Sequence, residues 1–198
     1  MSESLRSVRL AVAVIVTAMA AIVWTPRALA SDALWGLLKN GGQVVLMRHG
    51  LTTPGVGDPP GMRLDECSTQ RNLTDEGRRQ ARQTGDAFRS HTIAVERVLS
   101  SPWCRCIQTG ELAFGSTPQV SEPLGNLFGR PENQARQVAA MQALVGNWRG
   151  KGNLVLVSHG STIVALTGVS PDVAEMVIVT PQSNGKFVVA GRLTAYDR

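Results

Sequence analysis

Two apolar runs, Val44-Val45-Leu46-Met47 and Leu154-Val155-Leu156-Val157, lead into a histidine followed at once by glycine, at His49-Gly50 and His159-Gly160. Uninterrupted runs of this length, without polar alternation, read as strands buried on both faces, the condition of a parallel sheet covered by helices on either side. Around them, short apolar runs alternate with amphipathic segments, the pattern of βαβ units. The expected fold is therefore α/β, a three-layer α/β/α sandwich with a mostly parallel central sheet. Open α/β folds place their chemistry beyond the carboxyl ends of such strands. With only 3 histidines in 198 residues, two at equivalent strand ends mark a candidate site.

The first thirty residues read as an address. Arg6 and Arg9 precede an uncharged apolar run from Leu10 to Trp24, followed by Pro26 and the small-residue site Ala28-Leu29-Ala30. This is the pattern of a secretory signal peptide over residues 1–30. The apolar run is shorter than the roughly 20 residues of a spanning helix, so an uncleaved anchor is the second reading. The expected location is exported: periplasmic in a cell with two membranes, otherwise secreted or held by the uncleaved segment. Membrane contact is expected through that segment alone, and residues 31–198 have the length of one domain.

The chain carries 20 Lys+Arg against 15 Asp+Glu. Arg6, Arg9, Arg27 and Glu3 fall in the leader, which leaves 17 basic and 14 acidic residues in the body. The arginines are spread out with little aromatic interleaving, which argues against nucleic acid as a partner. A mildly basic body suits a small anionic substrate. Export would permit a disulfide among Cys67, Cys104 and Cys106. Cys104 and Cys106 are too close for easy mutual bridging, so Cys67 is expected to pair with one of them. No histidine or further cysteine near Cys104 and Cys106 completes a metal set, and no cofactor is implied.

Along the body, a first helix is expected from Ser31 or Asp32 to Asn40. A loop of about twenty residues, rich in proline and glycine, follows Gly50 and runs to Asn72. It leaves from the strand end that carries Arg48 and His49, so it is read as part of a site rim. Thr74 caps a helix whose inward face is Gly77, Ala81, Gly85 and Phe88. A strand near Val95–Leu99 runs into a helix opened by Ser100-Ser101-Pro102. Pro131 starts a helix with Val138, Met141, Val145 and Trp148 on one stripe, and Thr162–Leu166 is short and helical. Met176–Val179 and Lys186–Leu193 form an antiparallel edge. His91 reads as a surface residue near a helix end.

Three strand ends thus carry reactive or anion-binding residues: Arg48-His49-Gly50, Ser158-His159-Gly160, and Ser100-Ser101-Pro102 followed by Arg105. Arginine offers a planar fork of donors for phosphate, and Arg105 lies in a first helical turn, which also favours an anion. In this ordering the chain resembles the histidine phosphatase superfamily, also called phosphoglycerate mutase-like. Arg48-His49-Gly50 matches its defining triplet, Ser100-Ser101-Pro102 with Arg105 and Gln108-Thr109 its second arginine block, and His159-Gly160 its second histidine. Arg71-Asn72-Leu73-Thr74 with Gly77 and Ala81 is similar to the segment entering its first large helix. The resemblance spans Val44 to Gly168.

The resemblance implies a phosphoglycerate mutase-like fold and an exported, metal-independent phosphatase that hydrolyses small phosphomonoesters through a phosphohistidine intermediate. His49 would be the nucleophile, and Arg48, Arg105 and His159 would surround the transferred phosphoryl group. Family members commonly carry a carboxylate after the second arginine to protonate the leaving group. Glu122 is the nearest candidate, although its flanks depart from the pattern. Asp58, Asp65 and Glu66 in the long loop are rivals. Should none serve, substrates with good leaving groups, such as phosphoamidates or acyl phosphates, are implied. A phosphohistidine phosphatase and a non-catalytic phosphate-binding envelope module are the alternatives. Selectivity is expected from the Leu51–Arg71 loop and the region Gly115–Arg130.

Overall fold

The computed structural model describes residues 26–195, with side-chain environments from Ser31 onward. Most of the expected export segment, residues 1–25, lies outside the described residues. Helix α1 spans Pro26–Lys39 among the described residues, so it already covers the expected start at Ser31. Strand β1 (Val44–Arg48) follows, then the long loop, whose expected irregularity is relieved only by a 3-10 turn at Cys67–Thr69 and a bridge between Thr52 and Leu73.

The remaining elements are α2 (Asp75–Ser90), β2 (Val95–Ser100), α3 (Cys104–Phe114), β3 (Gln119–Val120), α4 (Gln134–Gly146), β4 (Asn153–Ser158), α5 (Gly160–Thr167), β5 (Met176–Pro181) and β6 (Phe187–Leu193). The sheet runs β3-β2-β4-β1-β5-β6. Its first four strands are parallel, and β5 and β6 complete it antiparallel. The two histidine strands are direct neighbours, with Val44 opposite Leu154 and Arg48 opposite Ser158.

Alternation along those strands splits the core. Val45, Met47, Val155 and Val157 pack with Leu34, Trp35, Leu38, Phe88 and Trp103 on the side of α1–α3. Val44, Leu46, Leu154 and Leu156 pack with Met141, Val145 and Ile163 on the side of α4 and α5. Both faces of the sheet are therefore buried, which is why these strands read as continuous apolar runs. The three-layer α/β expectation holds.

Local chemistry accounts for the element ends. The Thr74 hydroxyl accepts from Gly77 N at 3.0 Å and caps α2 as expected. The expected inward face of α2 is buried, and its small residues let backbones meet. A Cβ on Gly77 would sit 2.1 Å from Leu51 O, and one on Gly85 2.0 Å from Ala113 O. Helix α3 starts at Cys104, later than Ser100, because Ser101-Pro102-Trp103 lead extended chain into it. Helix α4 is preceded by a 3-10 turn at Pro131–Asn133, and Trp148 lies beyond its end. His91 is exposed at the end of α2 and stacks on Trp35, ring centroids 4.3 Å apart.

Candidate active site

Because β1 and β4 are adjacent and parallel, they deliver His49 and His159 to one place. Their ring centroids are 5.3 Å apart at an interplanar angle of 70°. His49 N donates to Ser158 O at 3.0 Å, so the sheet ladder holds the pair together. The turn behind them is under backbone strain: Ala174 has φ of 53° and donates its N–H to His49 O, while Glu175 O accepts from Arg48 N. Glu175 is buried and receives Asp172 N and the Arg192 guanidinium, which pins this turn. On the same segment, Pro171 O accepts from Arg48 Nη1 at 2.9 Å.

His49 Nδ1 lies 2.8 Å from Gly50 O. A carbonyl only accepts, so Nδ1 carries the proton and Nε2 keeps its lone pair. Burial first, then the field of Arg105, depress the His49 pKa to about 3; Arg48 and Arg71 add to this while the Gly50 carbonyl opposes it. His49 is thus a neutral imidazole at neutral pH. His159 is held well below its ordinary value by burial, then by His49 and Arg105. Its Nε2 is 2.8 Å from Ser101 Oγ and its Nδ1 3.5 Å from Arg105 Nη2. A guanidinium only donates, so Nδ1 bears the lone pair and Nε2–H donates to Ser101.

Gly50 and Gly160 have different reasons. A Cβ on Gly50 would meet Gly77 O at 2.5 Å, so the close approach is that of α2. Its φ is not positive, so close packing and not a left-handed turn calls for glycine there. A Cβ on Gly160 would stand 3.3 Å from Arg48 Nε, because the Arg48 guanidinium lies over that residue.

Arg105, 1 % exposed, meets Asp58 through a two-pronged pair: Nη1–Oδ1 2.6 Å and Nη2–Oδ2 3.1 Å. Nη1 also donates to Arg71 O. Asp58 further accepts from Arg71 N and Trp103 Nε1. These bonds hold its carboxyl below the usual carboxylate value against the opposing effect of burial. The loop that carries Asp58 and Arg71 is stapled to the start of α3 by a Cys67–Cys104 disulfide. The expected partner of Cys67 is thereby resolved. Cys106 is free and buried, its thiol pushed up to about 12 by burial.

A cavity of about 430 Å³ opens over these groups and is lined by Arg48, His49, Arg71, Arg105 and His159 together with Val56 and Phe128. Among the described residues, no carboxylate lines it. The structure brings together Arg48, His49, Arg105 and His159, but not Glu122. That residue faces a separate cavity of about 400 Å³ beside Trp103, Arg130 and Arg136, where a 3-10 turn at Glu122–Leu124 directs it. Asp65 pairs with Arg63 at the surface, and Glu66 accepts from Ser68 there. Of the four candidate carboxylates, Asp58 alone touches a residue of the histidine cavity, and it does so as the ion-pair partner of Arg105. Among the described residues no group of three His, Cys, Asp or Glu side chains is set to hold a metal ion. Arg71 and Ser101 join the site beyond the residues singled out for chemistry from sequence; the Arg71-Asn72-Leu73-Thr74 block was the available signal for the first.

Fold and site together define a three-layer α/β domain with a paired-histidine, arginine-lined anion cavity at the carboxyl ends of its central strands. Residues 44–127 match the family described as histidine phosphatase superfamily (branch 1). The structure is similar to that of the protein histidine phosphatase SixA complexed with tungstate, with TM-score 0.58, 21 % identity, and 77 % of this chain and 97 % of that one covered. It is similar to phosphoserine phosphatase from Entamoeba histolytica complexed with 3-phosphoglyceric acid, with TM-score 0.57, 14 % identity and coverages of 76 % and 95 %. A mycobacterial glucosyl-3-phosphoglycerate phosphatase complexed with VO3 superposes with TM-score 0.56, 17 % identity and coverages of 75 % and 97 %. No curated protein sequence matches the chain.

Proposed function

We propose that this protein is a phosphatase that passes the phosphoryl group of a small phosphorylated substrate to His49 Nε2 and then to water. The observation that carries this reading is a neutral imidazole, its Nε2 lone pair left available by the Nδ1–H bond to Gly50, in a cavity lined, among the described residues, by three guanidiniums and no carboxylate. The substrate's phosphoryl dianion would sit among Arg48, Arg105 and His159. As Nε2 forms its bond to phosphorus, the bond to the leaving group breaks and that group takes the electron pair. The ring becomes cationic, and the Nδ1–H donated to the Gly50 carbonyl supports that charge. Water then attacks phosphorus and gives up a proton to the bulk, from which the departed group regains one; the N–P bond breaks, and the lone pair returns to Nε2. The Arg48 and Arg105 guanidiniums match charge on the equatorial oxygens throughout, which is the main lever in phosphoryl transfer.

A cavity wall without a carboxylate favours leaving groups that need little protonation. Phosphoamidates, including phosphohistidine, are therefore the favoured substrate class within this reading, and the likeness to a protein histidine phosphatase supports it. Residues 31–198 are proposed as the phosphatase domain and residues 1–30 as its export signal; a disulfide next to the site supports an oxidising compartment.

The test is phosphoenzyme trapping with a labelled phosphoamidate and a labelled phosphomonoester, quenched in alkaline detergent because the N–P bond is acid-labile. Label on the wild type and none on His49→Ala is the expected result. Ligand binding without label or turnover would make the protein a binding module and end the phosphatase reading.

A further inference from the structure

Arg71 lines the same cavity as the two histidines but has no place in the scheme above. Its surroundings are those of a built part of the site. Its N–H donates to Asp58 Oδ1 and its carbonyl accepts from Arg105 Nη1, so both faces of its backbone are tied to the Arg105–Asp58 pair. Its side-chain Nη1 donates to Gly55 O. That leaves Nη2 and Nε of the fork without a hydrogen bond among the described residues, Nε being buried. Arg105 presents the same arrangement: its terminal nitrogens are committed to Asp58, Arg71 O and the His159 side, while its buried Nε also lacks a partner there.

Buried donors without acceptors are rare and costly in folded proteins. A guanidinium is planar, so a bond at one terminal nitrogen restricts where the rest of the fork points. Three guanidiniums on the wall of one cavity suit an acceptor with several oxygens. The charge of Arg71 also adds, as the smallest of the charge effects, to the depression of His49 and His159.

We propose that Arg71 is a third guanidinium contact to the phosphoryl group, donating from its fork to an oxygen of the bound anion alongside Arg48 and Arg105. This rests on the phosphatase reading and deepens it. The long loop then serves the anion directly, since the Cys67–Cys104 staple and the Asp58 carboxylate carry Arg71 to the cavity and keep its fork turned inward.

The experiment measures orthophosphate binding by calorimetry and kcat/KM on a chromogenic phosphomonoester. It compares wild type, Arg71→Gln, Arg71→Lys and the control Arg79→Gln, whose side chain is on the solvent face of α2. Losing one charge-assisted hydrogen bond to the anion should weaken orthophosphate roughly 10- to 100-fold in Arg71→Gln and lower kcat/KM at least as much. Arg71→Lys, which keeps the charge but lacks the planar fork, should recover part of the affinity, and Arg79→Gln should match wild type. Orthophosphate affinity of both Arg71 variants within about twofold of wild type, whatever their melting temperatures, would overturn the assignment, because a loop anchor alters stability and not the anion contact. A wild type that neither binds orthophosphate nor forms a phosphoenzyme would instead remove the phosphatase reading itself.

Discussion

Asp58, a carboxylate the sequence offers as a proton donor, is instead the counter-ion of Arg105. Its two oxygens face the Arg105 fork, with side-chain exposures of 1 % for Arg105 and 8 % for Asp58. Breaking such a pair by removing one charge leaves the other buried and uncompensated, at a cost of about 3–5 kcal/mol. Asp58→Asn should therefore lower unfolding stability by that order, as read by urea denaturation. It should also cut kcat/KM, because Arg105 and the Arg71 backbone both lose their anchor. Orthophosphate should restore much of the lost stability by supplying a replacement anion to the arginines. A variant as stable as wild type, with unchanged kcat/KM, would show that Asp58 organises nothing. At the same scale, Arg48, His49, Arg105 and His159 were legible from sequence, because each stands at the end of a strand, just beyond one, or in a first helical turn. Asp58 was read only as a rival proton donor and Arg71 only within a matched block; their roles around Arg105 were not legible, because their place depends on a loop path without periodicity. That path is set by long-range bonds to Arg105, Trp103 and Cys104.

Among elements, the longer strands could be read directly, since period and apolarity act locally, whereas the two-residue, exposed β3 could not. Helix starts were less legible. The 3-10 turn at Pro131–Asn133 shifts the start of α4, and Glu122, in a 3-10 turn of its own, lines a cavity apart from the histidines. The long loop behaves as an element only through its staple. Cys67 and Cys104 are separated by 37 positions, a span for which chain-entropy reasoning gives a stabilisation of about 4 kcal/mol. The Cys67→Ser, Cys104→Ser double variant should thus unfold at lower denaturant. Because the loop carries Asp58 and Arg71, it should also bind orthophosphate more weakly than wild type at temperatures where both are fully folded. Cys106, buried and with a raised pKa, should stay unreactive toward thiol reagents until the chain unfolds. Loss of stability with intact orthophosphate affinity would confine the disulfide to a stabilising role.

For the molecule as a whole, a neutral buried histidine pair at the carboxyl end of the sheet makes stability depend on pH in a window that ordinary carboxylates do not reach. The unfolded chain takes up a proton at His49 near its ordinary value of 6.5, whereas in the folded protein this waits until about 3. The folded pKa is depressed, so the contribution is fully present above pH 6.5 and is lost as pH falls from there toward 3. His159, displaced in the same direction, adds to the loss. His91, exposed on Trp35, lies away from the pair. With one to two protons in play at about 1.4 kcal/mol per pH unit each, unfolding free energy should drop by about 2–4 kcal/mol between roughly pH 7 and pH 5. Urea titrations at intervals across that range measure it. His49→Asn, which keeps a polar group of similar reach but cannot titrate, should lose roughly half of this slope while abolishing the phosphoenzyme. A wild-type profile that is flat across the same range would mean that the histidines are charged in the folded protein. His49 would then not be the neutral nucleophile on which the phosphoryl-transfer reading stands.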